Sequence, residues 1–230
     1  AKLEYLNPGG SVKDRIGMAM IEAAEREGKL RPGGTIVEPT SGHTGVGLAI
    51  AAALKGYRCI FGMPDKMSQE KISMLRAYGA AVVITPTAVE HDSPESYYSV
   101  SVRLAEEIPG GFKPDQYSNL SNPEAHYVPT GPEIWEQTGG EIEAIVISVG
   151  TGGTITGVGR YFKERRPEVL IVGADPDGSV FTADEQHPVH PYLVEGIGKD
   201  TWPATRDPAG VDEGVRVSDA DSFLTARRLD

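Results

Sequence analysis

Two segments rich in Gly and Thr have the composition of anion-binding loops. They are residues 39–45, Pro-Thr-Ser-Gly-His-Thr-Gly, and residues 150–157, Gly-Thr-Gly-Gly-Thr-Ile-Thr-Gly. Each follows a strand-like run and precedes a helical pattern, so backbone N–H groups and a helix N-terminus converge where a phosphate or carboxylate can bind. A single loop of this kind is equally well explained as a simple turn from strand to helix. Two of them after strands favour an anion site.

Neither loop carries a nucleotide-binding signature. Both lack the Gly-Lys-Ser/Thr ending of a P-loop and the spaced Gly-x-Gly-x-x-Gly of dinucleotide sites. These patterns argue against nucleotide hydrolysis and against a Rossmann-type nucleotide binder.

Lys13 occupies an unusual position for a lysine. Residues 7–15, Asn-Pro-Gly-Gly-Ser-Val-Lys-Asp-Arg, predict a turn that leads into a helix beginning between Ser11 and Lys13. A helix N-terminus disfavours a cation, lowers its pKa and makes the free amine more available as a nucleophile. On spacing alone, a solvated Lys13 beside Asp14 is the simpler interpretation.

The other residues with possible chemistry give weaker signals. The five histidines, at positions 43, 91, 126, 187 and 190, lack metal-ligand spacing, so no metal site is predicted. Cys59 lies in an apolar run and is interpreted as a buried structural thiol. Ser41 is not in a Gly-x-Ser-x-Gly elbow, which argues against a serine hydrolase. His126 is predicted to be a packing residue of a helix.

The elements that must position these residues alternate between strand and helix patterns. Strands are predicted at 35–38, 58–63, 81–84, 144–149 and 169–174, and helices at 48–55, 68–78, 93–108, 123–137 and 154–165. This rhythm predicts an α/β fold with parallel sheets covered by helices, in which ligands bind beyond the carboxyl ends of the strands. Residues 175–217 are rich in Pro, Asp and Gly and are predicted to form loops.

The composition excludes several classes of protein. The 230 residues carry 22 Lys+Arg against 33 Asp+Glu, a net charge of −11, which argues against nucleic-acid binding and against an anionic membrane surface. No apolar run reaches the ~18 residues of a membrane span, and no secretory signal is visible. The single cysteine allows no intrachain disulfide, and we expect a cytoplasmic protein. Because the chain opens at Ala1 and stops within a helical pattern, both ends are expected to be cut.

Three of these segments together resemble fold-type II pyridoxal-phosphate enzymes of the cysteine synthase/cystathionine β-synthase family. Residues 10–15 resemble the Schiff-base lysine segment, 40–45 the substrate-carboxylate loop, and 150–154 the phosphate loop, in the family's order and spacing. The resemblance implies two open parallel-sheet domains covered by helices, similar to the tryptophan synthase β subunit. We expect residues 1–140 and 141–230 to form them, with 13–34 crossing onto the other domain and the second domain truncated.

The resemblance also implies a role for individual residues. Lys13 would bind the cofactor, pyridoxal 5'-phosphate, and later carry the proton of the substrate Cα. The other cofactor-binding residues would be His43, Gly150, Thr151, Gly152, Gly153 and Thr154. The substrate-binding residues would be Thr40, Ser41, Gly42, Thr44, Gln116, Tyr117, Glu195 and Gly196, with no metal. His43 stands where the family usually has Asn, and the family's Ser at the pyridine nitrogen falls beyond residue 230.

Within this family, four segments resemble the cystathionine β-synthase branch more than cysteine synthase: 92–96, 115–119, 125–127 and 192–198. This resemblance implies a lyase of transsulfuration and cysteine biosynthesis that converts L-serine and L-homocysteine to L-cystathionine and water, and a homodimer. Two alternatives stay open. One is a cysteine synthase that uses O-acetylserine and sulfide. The other is a non-catalytic binding subunit with the same fold, for which His43 is the only hint.

Overall fold

The structure is a computed structural model that describes residues 1–40, 42–90 and 92–229. The chain divides into two compact units, Ala1–Gln116 and Tyr117–Asp230. This division precedes the helices between residues 121 and 138, because those helices pack on a helix of the second unit. The expected domains 1–140 and 141–230, and the crossing of residues 13–34, stay predictions for the whole protein.

The first unit is a four-stranded parallel sheet with helices. Its strands are β1 (Thr35–Pro39), β2 (Arg58–Pro64), β3 (Ala81–Thr85) and β4 (Gly111–Phe112), in the order β3-β2-β1-β4. Its helices are α1 (Lys13–Arg26), α2 (His43–Lys55), α3 (Gln69–Ala77) and α4 (Tyr97–Glu107), after a 3₁₀ turn at Glu4–Leu6. All strand pairs are parallel, with Thr35 level with Arg58 and Ile60 level with Ala81.

Local sequence explains where several of these elements sit. Every residue of β1 is buried, as expected for a central strand covered on both faces. The α2 helix ends at Lys55 and is followed by Gly56, whose φ of 78° is a left-handed C-cap conformation. The Ser68 hydroxyl accepts a hydrogen bond from Lys71 N and caps α3. Ile36, Leu48 and Phe61 have no exposed surface and lie in the core.

The second unit has a three-stranded parallel sheet. Its strands are β5 (Ala144–Ser148), β6 (Leu170–Pro176) and β7 (Glu213–Val217), in the order β5-β6-β7. Its helices are α5 (Ser121–Ala125), α6 (Gly131–Thr138), α7 (Gly153–Arg165) and α8 (Asp219–Leu229), with a π-helical turn at His126–Thr130 and a 3₁₀ turn at Pro208–Gly210. The two parallel sheets with their helices confirm the predicted α/β fold.

Aromatic residues form much of the core of the second unit. The Phe162 ring centroid lies 5.7 Å from those of both Trp135 and Tyr161, and Phe162 has no exposed surface. Ile155, Val158 and Ile171 complete this part of the core. Phe162 belongs to α7, which begins at the second Gly/Thr loop. The burial of the Phe162 ring therefore fixes the position of this helix.

Three predictions about elements were wrong in detail. The helix predicted at 93–108, with Ser93 expected as its N-cap, begins at Tyr97, because the Ser96 hydroxyl caps it by accepting from Ser99 N. The helix predicted at 123–137 is interrupted by the π-helical turn that contains Pro129. The predicted loop 175–217 ends in β7, which pairs with β6.

Among the described residues, no helix is both long enough and apolar enough to cross a membrane.

Candidate active site

Lys13 is the first residue of α1, close to the predicted helix start. Its backbone N donates to the Ser11 hydroxyl at 3.3 Å, and Gly9 N donates to the Asp14 carboxylate at 2.6 Å, so the turn before the helix is tied to its first turn. Burial lowers the pKa of Lys13 to about 8. The direction of the predicted pKa shift is therefore confirmed, with desolvation by burial as its cause. A larger fraction of the amine is uncharged near neutral pH than for a solvated lysine.

Two glycines bring the backbone of α1 against that of α2. A Cβ on Gly47 would lie 2.5 Å from the Lys13 carbonyl oxygen, and a Cβ on Gly17 would overlap the backbone of Gly47. Only glycine permits such an approach between two helices. This crossing fixes Lys13 beside the helix that the loop at 40–44 begins.

The loop at the N-terminus of α2 is organised by Thr40. The Thr40 side chain is buried, and its Oγ1 accepts hydrogen bonds from Gly42 N and Gly45 N, each at 3.2 Å. Gly42 is the N-cap of α2. The loop therefore presents a helix N-terminus after the carboxyl end of β1, the placement expected of an anion site. Ser41, also predicted to bind substrate, lies outside the described residues.

Glu38 joins this loop to the predicted substrate residue Gln116. The Glu38 carboxylate has no exposed surface and accepts from Asp115 N at 2.9 Å and from Gln116 N at 3.1 Å. The Thr44 hydroxyl in turn donates to Gln116 Oε1 at 2.6 Å. Thr44 and Gln116 are thus brought together, as expected if they bind one group. Sequence reasoning missed Glu38, although a carboxylate inside the buried run 35–39 was a visible signal.

Burial raises the pKa of Glu38 to about 7, although the two backbone N–H groups and Lys113 oppose that shift. Asp115, which the carboxylate holds, has a φ of 56°, in the left-handed region that few residues other than glycine adopt. The two hydrogen bonds that Glu38 accepts compensate this backbone strain and position Gln116.

The second Gly/Thr loop precedes α7 in the second unit. Gly152 is the N-cap of α7 with a φ of 83°, a conformation that favours glycine. The Thr151 hydroxyl accepts from Asn122 Nδ2 at 3.1 Å, and the Thr151 carbonyl accepts from the Thr205 hydroxyl at 2.5 Å. A Cβ on Gly153 would overlap the Asn122 side chain, so this part of the loop is supported by α5.

His126 supports the last residue of that loop. This buried imidazole lies 3.2 Å from the Thr154 hydroxyl through Nε2 and 3.1 Å from the Thr130 hydroxyl through Nδ1. Sequence analysis predicted only a packing role for His126. The π-helical turn that begins at His126 turns the ring toward Thr154, a contact that helical periodicity cannot reveal.

Arg206 adds positive charge beside the same loop. A Cβ on Gly152 would lie 2.5 Å from the Arg206 Cβ, and the guanidinium stacks over Trp202 at 4.5 Å. Arg206 Nε and Nη1 are buried without a hydrogen-bond partner among the described residues. The left-handed Gly152 and the helix N-terminus that follows it fit a bound phosphate group, and Arg206 adds a buried cation to the same unit.

Three further predicted residues lie near this loop in the second unit. The Gly196 carbonyl oxygen lies 3.2 Å from a Cβ placed on Gly150, so the two loops are in contact. Thr205 N donates to the Tyr117 carbonyl at 3.2 Å, and the Thr205 hydroxyl donates to the Thr151 carbonyl, which links Tyr117 to the loop before α7. Glu195 is exposed beside Gly196.

His43 is the first residue of α2 and is exposed. Its contact with the cofactor, like the other assignments of individual residues, stays a prediction. Cys59 is buried, as predicted, and burial raises its pKa to about 12, so its thiol is not a nucleophile near neutral pH.

A family model described as "Pyridoxal-phosphate dependent enzyme" matches residues 1–230. The chain belongs to this enzyme family. The membership implies pyridoxal 5'-phosphate as cofactor. In the second unit, the helix N-terminus at Gly152 has the chemistry to hold its phosphate, and in the first unit the partly uncharged amine of Lys13 has the chemistry to react with its aldehyde. The family predicted from the three motifs is therefore confirmed.

Curated members of this family can be aligned with the whole of this chain. Cystathionine β-synthase from Mus musculus is 54% identical over 100% of this chain and 41% of its own length, and that from Saccharomyces cerevisiae is 48% identical over 100% and 47%. The chain thus spans less than half the length of these relatives. A solved structure of O-acetylserine dependent cystathionine β-synthase from Helicobacter pylori has a TM-score of 0.90 at 39% identity, covering 100% of this chain and 73% of that one.

Proposed function

We propose that the protein is a cystathionine β-synthase that replaces the β-hydroxyl of L-serine with the thiol of L-homocysteine, giving L-cystathionine and water. The observation that carries this proposal is the identity of about half to enzymes of that name over the whole chain. Two features support it: the loop that carries Thr44 and contacts Gln116 would bind the substrate carboxylate, and the loop before α7 would bind the cofactor phosphate. We further propose a cytoplasmic homodimer that takes only small amino-acid substrates.

The first unit would bind and deprotonate the amino acid. Gln116 Nε2 and the backbone N–H groups at the N-terminus of α2 would donate hydrogen bonds to its carboxylate, with Thr40 and Thr44 holding them in place, and would fix its Cα relative to Lys13. Lys13 Nζ, whose pKa is about 8, would accept the Cα proton and keep it for a later transfer. When bound, pyridoxal phosphate supplies an electron sink for the pair left at Cα.

The second unit would hold the cofactor phosphate and admit the second substrate. The backbone N–H groups of residues 150–154, the Thr151 and Thr154 hydroxyls and the N-terminus of α7 would bind the phosphate. Tyr117 and the loop at Glu195 and Gly196 would line the entry of the thiol. Both groups belong to one cluster of loops in this unit.

A second candidate concerns the first substrate. The Helicobacter pylori relative, with its TM-score of 0.90, is described as O-acetylserine dependent. O-acetylserine differs from serine only in its leaving group, so the same carboxylate site would accept both. Cysteine synthase activity differs in addition by its second substrate, sulfide.

One set of assays separates these activities. The whole protein, loaded with pyridoxal phosphate, is given serine or O-acetylserine, each with homocysteine or sulfide, and the products are quantified by mass spectrometry. We expect cystathionine from serine and homocysteine at the highest kcat/KM. Cysteine as the dominant product, or cofactor binding without any turnover, would contradict the proposal.

A further inference from the structure

Lys199 places a positive charge on Tyr117. Its Nζ lies 4.7 Å from the centroid of the Tyr117 ring, and only 21% of its side chain is exposed. A cation at this distance is attracted by the negative face of the ring, and the contact limits the positions that the long side chain can adopt.

The backbone of Lys199 is held from two sides. Its N donates to the Ser179 hydroxyl at 3.0 Å, and its carbonyl accepts from Val180 N at 2.7 Å. The preceding residue, Gly198, donates to the carbonyl of Val149 at 2.6 Å. Because Val149 leads directly into the loop at 150–154, the backbone of Lys199 is fixed relative to that loop.

The contacts of Tyr117 place the ammonium in the same cluster. Thr205 bridges the carbonyls of Tyr117 and Thr151, and Gly196 lies against Gly150. Lys199 is therefore part of the group of residues proposed to admit the second substrate. It follows the Glu195–Gly196 loop by only a few positions in the sequence.

The carboxylate that faces Lys199 is an exchangeable partner. Asp200 Oδ1 lies 3.3 Å from Lys199 Nζ, and 77% of the Asp200 side chain is exposed. An ion pair with such an exposed neighbour contributes little, because water and salt compete for both groups. A carboxylate carried by a ligand can replace Asp200 at little cost, and a charge-assisted hydrogen bond to it is stronger in this less exposed setting.

We propose that Lys199 recognises the carboxylate of the second amino-acid substrate and so makes the enzyme prefer an amino-acid thiol to sulfide. This assignment rests on the proposed function, since it names the group that selects homocysteine at the same site. Sulfide has no carboxylate, so Lys199 contributes only when the nucleophile is an amino acid.

The test compares two thiols that differ by this one group. Lys199→Met keeps most of the apolar stem and removes the charge. With serine saturating in the whole enzyme, kcat/KM is measured for homocysteine and for 3-aminopropane-1-thiol, which lacks the carboxylate. We expect Lys199→Met to lower the value for homocysteine by about 10-fold, mainly through KM, and to leave the value for the aminothiol unchanged. Lys199→Arg should restore most of the preference.

Two controls make the outcomes distinct. Lys29→Met removes another lysine that pairs with an exposed neighbouring carboxylate, Glu27, and should change neither value. An equal loss for both thiols, a loss of bound cofactor, or no change in Lys199→Met would overturn the assignment while the proposed function stands. A parent enzyme that makes no cystathionine from homocysteine would overturn both.

Discussion

Glu38 shows how one buried carboxyl can set the geometry of a binding loop. It lies in a strand whose five residues are all buried, and its two oxygens accept from consecutive backbone N–H groups at Asp115 and Gln116. Removing one acceptor leaves a buried N–H group without a partner, which costs more than the bond itself contributes. We therefore expect Glu38 to act as a positioning residue for Gln116.

Glu38 should also make stability depend on pH. Its pKa is raised from 4.5 to about 7 in the folded protein, so the native state binds this proton more tightly than the unfolded chain does. The contribution is complete below about pH 4.5 and is lost as the pH rises through about 7. Between pH 5 and pH 8, the wild-type protein should lose about 2 to 3 kcal/mol more unfolding free energy than Glu38→Gln does.

Urea unfolding at the two pH values measures this difference. Glu106→Gln, which replaces an exposed glutamate, serves as the control and should behave like the wild type. If Glu38→Gln keeps the full pH dependence of the wild type, the carboxyl is not the titrating group. The KM for serine should meanwhile rise about 10-fold in Glu38→Gln, because Gln116 loses part of its support.

At the residue scale, sequence analysis finds local patterns and misses distant contacts. Both Gly/Thr loops are contiguous, so their residue types alone indicated anion sites, whereas Lys13 was given a cofactor role only through the resemblance of its segment to the family. Glu38 contacts residues 77 and 78 positions away, and His126 contacts Thr154 at 28 positions. No local period encodes such pairs, which is why neither role was predicted.

Among the elements, the crossing of α1 and α2 matters most for the proposed chemistry. Gly17 and Gly47 permit the two backbones to touch, and Lys13 is the residue whose carbonyl approaches Gly47. A methyl group at either position must push the helices apart, because its neighbours are backbone atoms that cannot rotate away.

We expect Gly47→Ala to destabilise the protein by about 1 to 3 kcal/mol and to reduce kcat more than the KM for serine, since Lys13 is displaced. Thermal unfolding and steady-state kinetics measure both effects. Ala53→Ser, on the exposed side of the same helix, is the matched control and should be close to wild type. Unchanged kcat in a folded Gly47→Ala would show that the crossing does not position Lys13.

Local sequence patterns decide which of the strands and helices could be predicted. Apolar runs and helical periods located β1, β2, β3 and the helices α3 and α7, because burial dictates them. The predicted start of α4 was wrong because both Ser93 and Ser96 have side chains that can cap a helix. Tertiary packing selects Ser96, which is buried. The short β4 has only two residues and no pattern of its own.

The whole molecule consists of two units, each with its own sheet and buried core. Phe61 belongs to the core of the first unit and Phe162 to that of the second, and neither has exposed surface. Each unit also carries one of the two proposed anion sites. A substitution that disrupts one core should therefore first affect the proposed anion site in the same unit.

Hydrogen exchange can test this independence. Phe162→Ala should cost about 3 to 5 kcal/mol and reduce amide protection mainly between residues 117 and 229. Phe61→Ala should do so mainly between residues 1 and 116, and each variant is the control for the other. Equal loss of protection in both ranges from either change would mean that the two cores unfold as one.

The identity of the cofactor lysine is the central claim of this account. Lys13 combines a pKa lowered to about 8 with a place beside the helix that the loop at 40–44 begins. Borohydride reduction of the whole, cofactor-loaded protein fixes the cofactor to its lysine, and peptide mapping by mass spectrometry then locates it. We predict the reduced adduct on Lys13; an adduct on any other lysine would contradict the account.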